Sequence, residues 1–167
     1  MSMAKVRTDQ PVLVSLIDRL IDEDPAQALE VVKPASSLLR DAKDNIRRDL
    51  ENLLNTRLYR QADLTDYPEL DQSVVNYGLP DFSSVQFSSA EHREYFRELI
   101  ESTIIKYETR FRRVRVEITQ AGDEHERTLY LKINALLMLE PDPVPLLFDS
   151  RIQAMDRVVK LRELRHG

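Results

Sequence analysis

Residues 107 to 118 read YETRFRRVRVEI, with Glu108 two positions ahead of Arg110 and then Arg112, Arg113 and Arg115. Three chemistries could use such a run. A carboxylate at the end of an apolar helix, partly buried, holds its proton more tightly and can act as a general acid. A guanidinium two residues away favours the anion and works against that role. The spacing therefore favours Glu108 and Arg110 as a bracing or docking pair. On a strand, Arg113 and Arg115 project together to the outward face, and Arg112 points inward or toward an edge. That face is either solvated sheet surface or a docking surface for an acidic protein, since the planar guanidinium takes carboxylates bidentately and is less strongly hydrated than lysine. Base stacking needs interleaved aromatics, and only Phe111 stands nearby.

The rest of the chain offers little that could react. His92, His125 and His166 show no spacing of metal-ligand kind. No serine sits in a nucleophile-elbow pattern. A glycosidase needs two carboxyl groups about 5 to 9.5 Å apart in a shaped cleft. Among 29 acidic residues some pair always meets that distance, and only Glu108 earns nomination. The absence of cysteine excludes disulfides and thiolate chemistry. The three glycines, Gly78, Gly122 and Gly167, are too scattered for a phosphate-cradling loop. No catalytic residue, metal site, cofactor or small-molecule substrate is expected. The net charge of −5 disfavours nucleic acid as a partner of the whole molecule. No signal peptide is visible, and no stretch nears the roughly 20 apolar residues of a membrane-spanning helix, so a soluble, cytoplasmic protein is expected.

The elements that must position Glu108 and the arginines follow from periodicity. Leu13, Leu16, Ile17, Leu20 and Ile21 fall on one face of a short helix over 12–21, which needs a partner to be stable. Residues 23–37 suit a linker with Pro25 and Pro34, which makes 1–37 an N-terminal extension and 38–167 a single domain. The spacing predicts a helix over 38–55, with Leu39, Ala42, Ile46, Leu50, Leu53 and Leu54 as its stripe and Ser36 or Ser37 as its cap. Residues 56–87 lack periodicity but are apolar enough (Val74, Val75, Tyr77, Leu79, Phe82, Val85, Phe87) to wrap onto the core, with a turn at Asn76-Tyr77-Gly78. A second helix is expected over 89–107, with Ser88 and Glu91 as a capping box and Tyr95, Phe96, Leu99, Ile100, Thr103, Ile104 and Tyr107 inward. Alternation over 111–118 and 129–139 predicts strands joined by a hairpin near Gly122-Asp123. Residues 146–152 and 157–164 suggest a last pair, the second of which could instead be a terminal helix. The expectation is an α+β fold, with N-terminal helices packed on a small antiparallel sheet of three to four strands.

The order of motifs, SLIDRLIDED, ENLLNTR, SVVNYGLPDFSS, IIKYETRFRRVRVEI, LYLKINALLML and LLFDSRI, closely resembles the TssE family over about residues 12–155. TssE is the baseplate subunit of bacterial type VI secretion systems, one of the contractile-tail baseplate wedge proteins once labelled lysozyme-like. The family signature Glu-Pro-Arg stands here as Glu108-Thr109-Arg110, with threonine in place of the proline that would fix φ and stop the helix. The resemblance implies a structural, non-catalytic protein. Glu108 and Arg110 would anchor it to the wedge subunits TssF and TssG, alongside other baseplate proteins. The sheet would offer strands to the first ring of the TssB/TssC sheath. Leu13, Leu16, Ile17 and Leu20 would line a further docking element, and Arg113 and Arg115 a docking face. The site would be the cytoplasm of a Gram-negative bacterium, in a baseplate docked at the inner membrane without insertion into it. The alternative is a peptidoglycan glycosidase with Glu108 as its acid.

Overall fold

Helix propensity and an apolar stripe alone do not say where α1 begins. In the computed structural model, which describes residues 34–58, 67–71, 73–82, 89–120, 128–139, 142–153 and 158–164, it spans Ala35–Asn55. Pro34 is the cap, and its carbonyl accepts from the amides of Ser37 and Leu38. Ser36 and Ser37 therefore lie inside the first turn, and neither is the cap. Along the stripe, Ala42, Ile46, Leu50, Leu53 and Leu54 are buried. At the other end the Thr56 hydroxyl donates to the Asn52 carbonyl at 2.6 Å, closing the last turn as the chain becomes extended.

A one-turn helix α2, Pro68–Asp71, and a 3-10 turn, Val74–Asn76, follow. Helix α3 spans Ala90–Tyr107. Its cap is Ser89, whose side chain makes no capping bond. Ser88 lies outside the described residues. Phe96, Ile100, Thr103 and Ile104 are buried at three- and four-residue spacing, whereas Tyr95, expected inward, is exposed. One position along a helix rotates a side chain by about 100°, enough to carry Tyr95 off a stripe centred on Phe96.

Among the described residues four antiparallel strands follow: β1 Phe111–Gln120, β2 Thr128–Leu137, β3 Val144–Gln153 and β4 Leu161–Glu163, in the order β1-β2-β3-β4. The last segment is a strand, not a terminal helix. Helices and sheet form two layers, as the α+β reading expected. Val116, Leu131, Ile133 and Phe148 face the helices together with Leu54, Ile100 and Ile104 in one core. Helix α3 packs along β1 and α1 reaches β4.

The β4 edge is bound to α1. The Leu161 amide donates to Glu51 Oε1 at 2.8 Å, the Val159 amide to Asn55 Oδ1 at 2.8 Å, and Asn55 Nδ2 to the Val159 carbonyl at 2.9 Å. A Glu51→Ala variant orphans the Leu161 amide in a partly buried setting and should lose about 1–2 kcal/mol, read as a lower urea midpoint at unchanged slope. A midpoint equal to wild type means that water replaces the carboxylate without cost.

Candidate functional site

The corner between α3 and β1 reverses the chain in three residues. Glu108 caps α3 in a non-helical conformation (φ −102°, ψ 81°), its amide still bonded to the Ile104 carbonyl at 2.8 Å. The Phe111 amide donates back to the Glu108 carbonyl at 3.3 Å, which closes the turn around exposed Thr109. The helix thus ends at Tyr107 without a proline to stop it.

This backbone turns Glu108 inward, to 7 % exposure. Arg110 follows it. Its amide and Nε donate to Glu108 Oε1 at 3.2 and 2.6 Å, and its Nη2 donates to Glu108 Oε2 and, at 2.7 Å, to Asp49 Oδ2 on α1. The Arg110 carbonyl accepts from the Met138 amide at 2.9 Å, just past the end of β2. One residue therefore ties α1, α3, β1 and β2 together. The guanidinium is held above its ordinary pKa, first by the hydrogen bond to Glu108 and then by the charges of Glu108 and Asp49, against desolvation. It is charged at every working pH.

The loop after α1 completes the corner. Tyr107 donates its hydroxyl to the Ser73 carbonyl at 3.2 Å, and the Tyr77 ring meets the Tyr107 ring edge-on at 5.1 Å between centroids. Gly78, at φ +108°, lets the chain run against Thr56: the Leu79 amide donates to the Thr56 carbonyl, and the Leu58 amide to the Leu79 carbonyl, both at 2.9 Å. Arg57 stacks over the Phe82 ring at 4.4 Å, and Phe82 packs on Phe96 at 4.8 Å. The motifs LLNTR and NYGLPDF are thus two halves of one joint beside Glu108. Leu79 and Phe82 are buried as expected, but Val74 is 86 % exposed and Val75 is exposed too. The 3-10 turn puts successive side chains on different sides, and these two face solvent.

Burial raises the Tyr77 pKa, and the negative charges of Asp49 and Glu108 raise it further. Below about pH 10 the hydroxyl is neutral in both folded and unfolded chains. Above that, the unfolded tyrosine ionises first, so stability falls as pH rises through the folded pKa. A Tyr77→Phe variant should show a shallower loss of stability above about pH 10 in thermal melts. Parallel curves for the two proteins mean that Tyr77 titrates like a free tyrosine.

Of the residues singled out in the sequence, Glu108 and Arg110 pair within the chain. Arg113 and Arg115 are exposed on the outer sheet face, away from the helices. Arg112 is also exposed, where the register with β2 slips between Phe111 and Arg113, so it does not point inward. Leu13, Leu16, Ile17 and Leu20 lie outside the described residues, as do His125 and His166. Among the described residues no cluster of three or more His, Cys, Asp or Glu could hold a metal ion, and no helix is long and apolar enough to cross a membrane. Asp49 and Tyr77 belong to the corner but carry no sequence signal for it. Asp49 lies 59 positions before Glu108 in the chain, and only the fold brings them to one guanidinium.

The family model described as baseplate wedge protein gp25 matches residues 40–142, more than half of the chain. The chain belongs to that family. Its matched span runs from α1 to just before β3 and includes the four corner residues Asp49, Tyr77, Glu108 and Arg110. A chain of the solved structure described as the baseplate complex from the type VI secretion system is similar to this gp25-family protein at 15 % identity and a TM-score of 0.48, over 68 % of this chain and 96 % of that one. No curated protein matches.

Proposed function

We propose that this gp25-family chain is the TssE-type wedge subunit of a type VI secretion baseplate, a structural part without catalysis. Family membership and the motif order over about residues 12–155 support that reading. The observation that carries it is the Arg110 fork on Glu108 and Asp49. Glu108 is too buried to meet a neighbour itself. It orients Arg110, whose side chain is 26 % exposed and held rigid at a corner shared by four elements. A preorganised, permanently charged guanidinium loses little freedom on docking, which suits an anchor to TssF and TssG. The antiparallel sheet then serves the TssB/TssC sheath by strand addition. The helix expected over 12–21 supplies a further contact, and the assembly lies in the cytoplasm of a Gram-negative cell, docked at the inner membrane.

A glycosidase acid must present a proton to the sugar oxygen. Both Glu108 oxygens accept from Arg110, which favours the structural reading. Purified protein incubated with peptidoglycan should release no muropeptides; release that vanishes in Glu108→Gln would reinstate catalysis.

Arg110→Lys keeps the charge and loses the fork. With circular dichroism showing an intact fold, this variant should co-purify with TssF and TssG at most at a tenth of the wild-type yield, and sheath assembly should fail. Undiminished co-purification removes Arg110 as the anchor.

A further inference from the structure

We propose that the sheet takes its partner strand at the outer edge of β1, which Glu101 closes in the free protein, and that the segment it fits alternates acidic and apolar residues. The inference rests on the strand-addition reading above and adds the edge, the cap and the pattern of the partner.

A four-stranded meander has two edges, and they differ. At β4, only three residues long, α1 already supplies donors and acceptors to Val159 and Leu161 through Asn55 and Glu51. A strand arriving there must break three hydrogen bonds. At β1, ten residues long, a side chain of α3 reaches the edge: the Val116 amide donates to Glu101 Oε2 at 2.8 Å. Val116 stands opposite Ile133, and this outward amide fixes the phase of the ladder. In an antiparallel pair alternate residues turn their amides the same way, so Val114 and Ile118 also face outward.

The cap is built to come off. Glu101 is 27 % exposed, so its carboxylate enters water easily. Its second contact, Arg97 Nη1 at 3.0 Å, is not orphaned by its departure, because Arg97 Nη2 also lies 2.8 Å from Glu94 and 3.5 Å from Glu98. An incoming carbonyl replaces the carboxylate as acceptor for Val116, an exchange of one bond for another. Until then a charge at mid-edge prevents pairing with stray strands.

The neighbours of the β1 edge state what fits. On the outer face, β2 sets Leu136 opposite Arg113 and Asn134 opposite Arg115, so neither arginine has an acid as its cross-strand partner. Glu117 does have its counter-charge, opposite Lys132. A strand on the other side of β1 with acids at the matching positions gives Arg113 and Arg115 that partner. Its alternate side chains fall on the helix side, beside buried Val114 and Val116 and half-buried Ile118, where apolar residues belong.

The test is a titration of isotopically labelled protein with two synthetic peptides, one alternating glutamate and valine, the other lysine and valine, with amide exchange as readout. The glutamate peptide should protect Val114, Val116 and Ile118. Glu101→Ala should tighten its binding about tenfold, the worth of a charged hydrogen bond no longer competed for, and Glu101→Gln by less. Reversing both arginines, Arg113→Glu with Arg115→Glu, should transfer the preference to the lysine peptide. Protection at Val159 and Leu161, or binding indifferent to Glu101, overturns the proposal. So does a Glu101→Ala protein that only self-associates, because the cap is then a guard and nothing more. Purified TssB/TssC sheath subunits separate this failure from that of its premise. If they bind through the β4 edge, only the β1 assignment falls; if they bind at neither edge, strand addition falls with it.

Discussion

An Arg110→Met variant is expected to lose about 2–3 kcal/mol of folding free energy. The substitution keeps most of the aliphatic stem and removes the guanidinium that neutralises Glu108. The buried carboxylate is then left with the Arg110 amide, at 3.2 Å, as its hydrogen bond beside the turn. Removing one partner of a fully buried pair costs about 3–5 kcal/mol. The lower figure here reflects the partial exposure of Arg110 and Asp49, whose own carboxylate can turn to water. Urea unfolding at pH 7 reads the loss, provided that the slope is unchanged. Adding Glu108→Gln should restore at least half of it, because a neutral amide no longer needs the cation. A single variant within about 0.5 kcal/mol of wild type, the range of ordinary surface changes, would show the fork to be structurally idle. Because the guanidinium is charged at every working pH, this loss should not vary with pH through any titration of Arg110 itself.

Gly78→Ala should be at least as damaging, although nothing charged is touched. A Cβ at this position would lie 2.4 Å from the Thr56 carbonyl oxygen and 2.9 Å from its carbon. Both are backbone atoms, and neither can rotate away. The φ of +108° adds strain of its own for any L side chain. Relief requires the loop to lift off α1, which breaks the bonds between Leu79 and Thr56 and between Leu58 and Leu79, and loosens Phe82 from Arg57 and Phe96. A loss of about 3 kcal/mol or more is expected, a fall in Tm of roughly 6–12 °C for a chain of this size. Glycine-to-alanine changes at unstrained sites stabilise by about 0.4–1 kcal/mol through the unfolded chain. A Tm equal to or above wild type would mean that the loop is free to shift.

Together these two changes separate what holds the corner. Arg110 joins it electrostatically from the sheet side, and Gly78 lets a loop press on it from the helix side. If docking to wedge neighbours depends on the rigidity of the corner, both variants should lose it in proportion to stability. Arg110→Lys should lose more than its stability accounts for.

The two long helices, the three long strands and the two-layer arrangement were legible in the residue pattern. Their signal is local. A period of 3.6 in Ala42, Ile46, Leu50 and Leu53, or of 2 in Val114, Val116 and Ile118, is set by the chain's own geometry, and one apolar face needs one partner layer. The pattern also placed Glu108 and Arg110 within reach of each other, since two residues across a helix end cannot be far apart. What that pair touches depends on how distant segments dock. Asp49 and Tyr77 come to the corner from segments 59 and 31 residues earlier. Hydrogen bonding by Glu51, Asn55 and Glu101 to the two sheet edges depends on which strand each helix lies beside. The outward turn of Val74, Val75 and Tyr95 is likewise a matter of packing. Periodicity records which face of an element is apolar. It carries no information on which distant polar side chain will find an unpaired amide or a lone cation, because those meetings are set by the docking of whole elements and not by the spacing of neighbours.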